Sequence, residues 1–156
     1  MLDFIETNRL ILRKFTLDDA EAAFEMNSDP EVMKYIPGGV SKSIDEVRES
    51  IQKNTLDDYE KYGFGRSAII LKATNEFVGF TGLKNDQHLG GVDLGYRLIR
   101  RFWGKGIATE SAQPFIKIAF DEMDLKTVLG GAMPENIASV TILKKMGMTY
   151  RYSQVF

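Results

Sequence analysis

A chain of 156 residues with a formal net charge of −2 is the size of one domain and lacks the basic surplus that a general nucleic-acid binder needs. Hydrophobic residues at 44% and charged residues at 27% match globular usage rather than disorder. With no Cys and a single His, His88, the chain has no disulfide, no thiolate nucleophile and no His/Cys metal cage, so no metal is expected.

Asp3 and Glu6 stand where a signal peptide needs basic residues, and no apolar run approaches the ~20 residues of a membrane span. The expectation is one cytoplasmic domain over residues 1–156, with neither membrane nor nucleic acid as a direct partner. Partial alternation makes residues 4–15 a strand. Thr16 reads as an N-cap for a helix over 17–26, with Asp18 and Asp19 in its first turn and Leu17, Ala20, Ala23 and Phe24 as its buried stripe. Pro30 predicts a short helix over 31–35, broken by Pro37-Gly38-Gly39. Ser43 and Glu46 match a capping box for a longer helix with a solvated charged face. Residues 66–73 and 77–84 read as an antiparallel hairpin around Thr74-Asn75-Glu76, with Gly79 and Gly82 marking a bulge or a close backbone approach. A loop over 85–91 leads to a strand over 92–99. The helix over 106–120 carries Ile107, Ala108, Ala112, Phe115, Ile116, Ala119 and Phe120 as an apolar stripe, and Pro114 should kink it. A strand over 127–133 follows, then a helix over 136–146 from Asn136 to a Gly147 stop, then a strand from Met148. The strand–helix–strand unit demands a parallel pair and the hairpin supplies antiparallel ones. The fold class is α+β, a mixed sheet with helices packed on it.

The chemistry concentrates where the strand over 92–99 turns into the next helix. Gly104 and Gly106 let the backbone approach an anion, and the first amides of a helix point outward at its positive end. Arg97, Arg100, Arg101 and Lys105 lie here with no acid between Asp93 and Glu110. Converging donors and charges suit a pyrophosphate. The dinucleotide fingerprint fails at Thr109, and the P-loop fails because Gly106 follows Gly104-Lys105.

Arg101-Phe102-Trp103-Gly104-Lys105-Gly106 resembles the Arg/Gln-x-x-Gly-x-Gly/Ala signature of the GCN5-related N-acetyltransferase (GNAT) superfamily. Glu6-Thr7-Asn8-Arg9-Leu10-Ile11-Leu12-Arg13, Asp93-Leu94-Gly95-Tyr96 and Asn136-Ile137-Ala138-Ser139, leading to Lys145-Met146-Gly147-Met148, are similar to its ribosomal-protein N-terminal acetyltransferase branch. The resemblance implies the GNAT fold, with a central parallel strand pair that splays apart and helices on both faces. It implies acetyl-CoA as cosubstrate. The main chain from Phe102 through Trp103, Gly104, Lys105, Gly106 and Ile107 to Ala108, beside Arg101, would hold the pyrophosphate. Leu98, Ile99 and Asn136 would hold the pantetheine arm, with a strand bulge placed at Gly95.

Transfer would be direct, from the thioester to a neutral amine, with an amide near Leu98 stabilising the oxyanion. The family's usual Tyr acid is replaced by Leu143; Ser139 matches the Ser of the ribosomal-protein branch, which implies it as the acid at sulfur, and Asp93 matches the acidic residue that family members often carry just before Gly-Tyr, which implies it as the base. His88 is a weaker base candidate in a loop. The acceptor is read as a protein N-terminal α-amine, with a small amine or antibiotic as the alternative and a non-catalytic CoA-binding regulatory module as a reading of another class. The resemblance also implies a further C-terminal strand; with the chain ending at Phe156, either that strand is absent or the chain is shorter than the gene product. An open sheet edge would invite a homodimer in place of a monomer.

Overall fold

The structure, a computed structural model, describes residues 4–151. Its frame is a five-stranded antiparallel sheet in chain order: β1 (Phe4–Glu6), β2 (Leu10–Lys14), β3 (Ser67–Leu71), β4 (Glu76–Asp86) and β5 (Gly91–Leu98). Leu10, Leu12, Ile69, Val78, Leu83 and Leu94 are fully buried in it. Each such side chain withdrawn from water contributes on the order of 2 kcal/mol.

Residues 4–15 form two strands rather than one. The Thr7 amide donates to the Leu10 carbonyl at 2.9 Å and Thr7 Oγ1 accepts the Leu10 amide at 3.2 Å, folding β1 back onto β2. The turn contains neither Gly nor Pro, so the hydrophobic pattern runs through it. Asp19 Oδ2 accepts the Thr16 amide at 2.9 Å, and a single turn (Leu17–Asp19) leads into α1 (Ala20–Asn27). Ala20, Ala23 and Met26 face the core, while Leu17 is exposed. Residues 31–35 are successive turns instead of a helix. Asp29 Oδ1 accepts the Glu31 amide at 3.0 Å, a side-chain bond that competes with helix propagation.

Ser43 caps α2 (Ile44–Ile51) by accepting the Glu46 amide. The Glu46 carboxylate takes the Lys42 amide at 2.6 Å, one residue before the reciprocal partner of a capping box. A π-helical turn (Gln52–Leu56) joins α2 to α3 (Asp57–Tyr62), which Gly63 ends at φ +79°.

The bulge lies in β4, not at Gly95. Ile69 faces Gly79 and Ile70 faces Phe77, leaving Val78 as the extra residue. A Cβ at Gly79 would sit 2.1 Å from the Arg97 carbonyl oxygen, so only glycine allows β5 this close. The β4–β5 ladder runs from Gly79–Leu98 to Asp86–Gly91 without a slip. Gly95 instead makes room for the Arg66 guanidinium, 2.8 Å from where its Cβ would be.

Helix α4 (Ile107–Lys117) contains Pro114 and packs on β4 and β5; a π-helical turn (Ile118–Glu122) follows. The wider turn shifts the phase of the stripe, which leaves Phe120 exposed while Phe115 and Ala119 are buried. Residues 127–133 join the sheet at one parallel bridge, Leu129 to Asp93, rather than as a full strand. Gly130 and Gly131 follow that bridge directly and weaken strand propagation. Helix α5 (Ile137–Lys145) ends at Gly147, φ +91°. Residues 148–151 are not in a strand, and the rest of the final strand expected to Phe156 lies outside the described residues. Successive β5 side chains point to opposite faces. Arg97 donates to Asn27 at the end of α1 and Tyr96 meets Ser139 of α5, so helices cover both faces. Among the described residues no helix is long and apolar enough to cross a membrane.

Candidate functional site

The turn between β5 and α4 is a cradle of backbone donors. Gly104 and Gly106 both adopt left-handed φ, +73° and +78°, and a Cβ at Gly104 would meet nothing within 4 Å. The first intrahelical bond of α4 runs from the Glu110 amide to the Gly106 carbonyl. The amides of Gly104, Lys105, Gly106, Ile107 and Ala108 therefore donate to no group among the described residues, and they gather at the positive end of the helix. Phe102 and Trp103 differ from expectation. Their amides are consumed by the Ile99 and Arg100 carbonyls in a tight turn, which narrows the cradle to residues 104–108.

Two of the four cations in the basic cluster are neutralised by acids from other elements. Arg100 pairs with Asp29 at 2.9 Å, and Arg101 pairs with Glu25 and Glu76 at 3.0 Å each, so Arg101 has its own partners apart from the turn. Of the four cations, Lys105 is the one left at the turn without an acidic partner among the described residues; its ammonium lies 5.9 Å from the Phe102 ring centre.

An unexpected clamp fixes the turn from outside. Arg9 Nη1 donates to the Lys105 carbonyl at 2.9 Å, and Arg9 Nε to Glu110 Oε1 at 2.7 Å. Glu110 Oε2 accepts the Thr7 hydroxyl and the Arg9 amide at 2.6 and 2.9 Å. Burial raises the Glu110 pKa, but these bonds outweigh it and hold the carboxyl below its ordinary value. Thr7, Arg9 and Glu110 carried no signal of this role. Their partners are about a hundred residues apart in sequence.

Beside β5 the sheet opens. Residue 129 hydrogen-bonds to Val92 and Leu94, and no further bridge follows toward Leu98 among the described residues. The Ile99 amide bonds Val78 of β4, so the Leu98 carbonyl, in the same peptide unit, points away from β4 toward the gap. The Leu98 amide shares that side, whereas both main-chain groups of Ile99 are used inside the fold. The Trp103 indole donates to the Leu98 carbonyl at 3.0 Å, which leaves the Leu98 amide as the donor at the edge.

Asp93 and Ser139 fall on opposite faces of β5. Asp93 is buried, and its Oδ2 pairs with Arg66 Nη2. Arg66 also donates to the Gly82 and Asp93 carbonyls. Arg66 borders a cavity of about 240 Å³ that Phe15, Met26, Asn27, Phe80, Lys84 and Arg97 also line. Burial first, and the Arg66 charge second, push the Arg97 guanidinium down to about 10, still cationic at neutral pH. On the other face Ser139 Oγ lies 3.0 Å from Tyr96 Oη. Burial raises the Tyr96 phenol against the opposing Ser139 bond. Tyr96 is a second hydroxyl, borne on the strand rather than on a helix, and alternation along β5 puts it on this face. Asn136 Oδ1 accepts the Ser139 amide at 3.3 Å, so it caps α5 and holds Ser139 at the helix start. Leu143 packs against Gly130. His88 lies in the β4–β5 turn, its amide bonded to Asp86.

A profile of the acetyltransferase (GNAT) domain matches residues 9–149. The chain is 35% identical, over 93% of its length and 82% of the relative's, to an uncharacterised N-acetyltransferase, p20, of Bacillus licheniformis. A crystal structure of a GNAT-family acetyltransferase from Bacillus anthracis superposes with a TM-score of 0.80 at 34% identity, over 94% of this chain and 83% of that one. RimL, a ribosomal L7/L12 alpha-N-protein acetyltransferase in complex with coenzyme A, has the same fold, with a TM-score of 0.76 at 20% identity over 92% of this chain and 82% of that one.

Proposed function

This chain belongs to the GNAT acetyltransferase family, and we propose that it transfers the acetyl group of acetyl-CoA to the α-amine of a protein N-terminus. The observation that carries the reading is the cradle at residues 104–108, where five amides without partners among the described residues meet the positive end of α4. These donors, with Lys105, suit the pyrophosphate of the acyl donor. The pantetheine arm lies along the gap beside β5, with the Leu98 amide facing the thioester. Trp103 and Asn136 border that path, Trp103 through its bond to Leu98 and Asn136 as the cap of α5.

In this reading Asp93, on the face of β5 opposite Ser139 and five residues before Leu98, takes the proton of the ammonium through a chain of water, by its oxygen not bonded to Arg66. The neutral amine attacks the carbonyl carbon, and the Leu98 amide donates to the developing oxyanion. The C–N bond forms, the C–S bond breaks, and the leaving sulfur receives a proton from Ser139, backed by Tyr96. The cavity lined by Arg66, Lys84 and Arg97 is basic, which disfavours the small-amine alternative in its polycationic antibiotic form.

The test is thiol release from acetyl-CoA with a panel of peptides of different N-terminal residues and of small amines. Calorimetry compares coenzyme A with ATP. Turnover on peptide N-termini and a preference for coenzyme A are expected. Turnover on small amines alone would reassign the acceptor. Coenzyme A binding with no turnover on any amine would make the protein a binding module.

A further inference from the structure

The cavity between α1, α2 and the sheet holds one more positive charge than its surroundings answer. Arg66 is paired with Asp93, and Lys84 with Asp58 of α3 at 2.6 Å. Arg97 has no acid. Its Nη1 donates to the neutral Asn27 Oδ1 at 2.9 Å, and its buried Nε has no hydrogen-bond partner among the described residues. The faces of Phe80 serve both guanidinium groups, Arg97 at 5.0 Å and Arg66 at 5.7 Å, so the two cations are held together against their mutual repulsion. Withdrawing a cation from water without a counter-ion is costly. The remaining polar lining, Ser50, Asn54 and Thr55, is neutral.

We propose that this cavity binds a carboxylate of the acceptor, so that the preferred substrate is a primary amine carrying a carboxylate a few bonds from the amine. The inference rests on the acetyltransferase reading above and narrows its substrate. Arg97 offers a planar fork that matches a carboxylate, whereas Asn54 and Ser50 can bond its outer lone pairs. Arg97 immediately precedes Leu98 on β5, so an acceptor anchored there extends its amine toward the edge where the Leu98 amide faces the gap. The carboxylate has two sources, a free amino acid or an acidic side chain at the second position of a peptide. The cavity accepts the same group from either.

The experiment compares matched acceptors by thiol release. Free amino acids are set against their amides, and C-terminally amidated peptides beginning Ser-Asp against Ser-Asn. A preference of tenfold or more in kcat/KM for the carboxylate member of either pair is expected, and the pair that shows it identifies the source. Arg97→Gln should erase the preference through acceptor KM and leave the KM of acetyl-CoA unchanged; Arg97→Lys should restore part of it. Equal rates for carboxylate and amide in both pairs, with turnover present, overturn the proposal while leaving the acetyltransferase reading intact. A direct binding measurement on the unmodified protein does not depend on turnover. N-acetylglycine and the α-amide of N-acetylaspartate should bind, and their uncharged counterparts, N-acetylglycinamide and the α-amide of N-acetylasparagine, should not; equal binding of carboxylate and amide in both pairs, or binding of none of the four, also overturns it. Should no amine be turned over, that binding result still decides the cavity, and the acetyltransferase reading fails separately.

Discussion

At Gly104 geometry and electrostatics separate cleanly. The residue has a left-handed φ but open space around its missing side chain. Gly104→Ala therefore brings only backbone strain, about 1–2 kcal/mol. Gly104→Asp adds a negative charge facing the anion site. Both variants should unfold at slightly lower denaturant, but only the Asp variant should lose more than about tenfold in coenzyme A affinity, or ~1.4 kcal/mol. Calorimetry giving the two variants equal affinities would move the pyrophosphate elsewhere. Tyr96 permits a similar separation. Its phenol is raised by burial and stays protonated beyond its ordinary range, so the acid limb it supplies lies on the alkaline side. Tyr96→Phe should lower kcat by about a hundredfold, the low end of general-acid effects. It should also remove any alkaline fall in kcat that belongs to this phenol. A full-rate Tyr96→Phe enzyme would leave Ser139 acting without it. The four-cation stretch illustrates how far residue reading reached. The cations are real, but Glu25, Asp29 and Glu76 come from other elements to neutralise two of them, and local sequence gives no hint of that.

Among the elements, the junction of the β1–β2 turn with the first turn of α4 positions the cradle. Arg9 and Glu110 connect strand and helix, and Arg9 also holds the Lys105 carbonyl. The ion pair is partly exposed, so its own contribution is modest, about 0–1 kcal/mol. Its larger effect is orientation. Glu110→Gln should weaken coenzyme A binding several-fold with a small drop in Tm. The carboxyl is held below its ordinary pKa of 4.5, so the stability it adds is present above that value and is lost as pH falls through the depressed one. In acid titrations the wild type should lose stability in this window and Glu110→Gln should lose less. The same slope in both proteins would remove Glu110 from the account. Element types were legible wherever a local signal existed, as in the Asn75 hairpin turn and the Ser43 cap. The Thr7 turn was not, because a side-chain bond rather than Gly or Pro makes it, and the Asp29 turn was not, because the Asp29 side-chain bond overrides the helix start that Pro30 signals.

Across the whole molecule, Tyr59 ties the helical layer to the sheet. Its hydroxyl donates to the Arg66 carbonyl at 2.5 Å and accepts the Phe15 amide at 3.0 Å, joining α3 to the segments at the ends of β2 and β3. Burial is the main reason its phenol is pushed up to about 12. The folded state then keeps a proton that the unfolded chain releases near 10. Stability is whole below pH 10 and falls as pH rises toward 12. Tyr59→Phe should be less stable at neutral pH yet lose less between pH 10 and 12 in urea melts; parallel pH profiles would contradict this. The sequence by itself determined the family, the α+β class, the hairpin and the glycine-built bend, because local φ requirements, caps and periodicity are written in neighbouring residues. Tertiary structure alone decided which charges remained unanswered. It gave Arg100 and Arg101 their acids, left Arg97 without one among the described residues, set Tyr96 beside Ser139 and brought Arg9 to Glu110. Such pairings depend on distances between segments far apart in the chain, which no local pattern encodes.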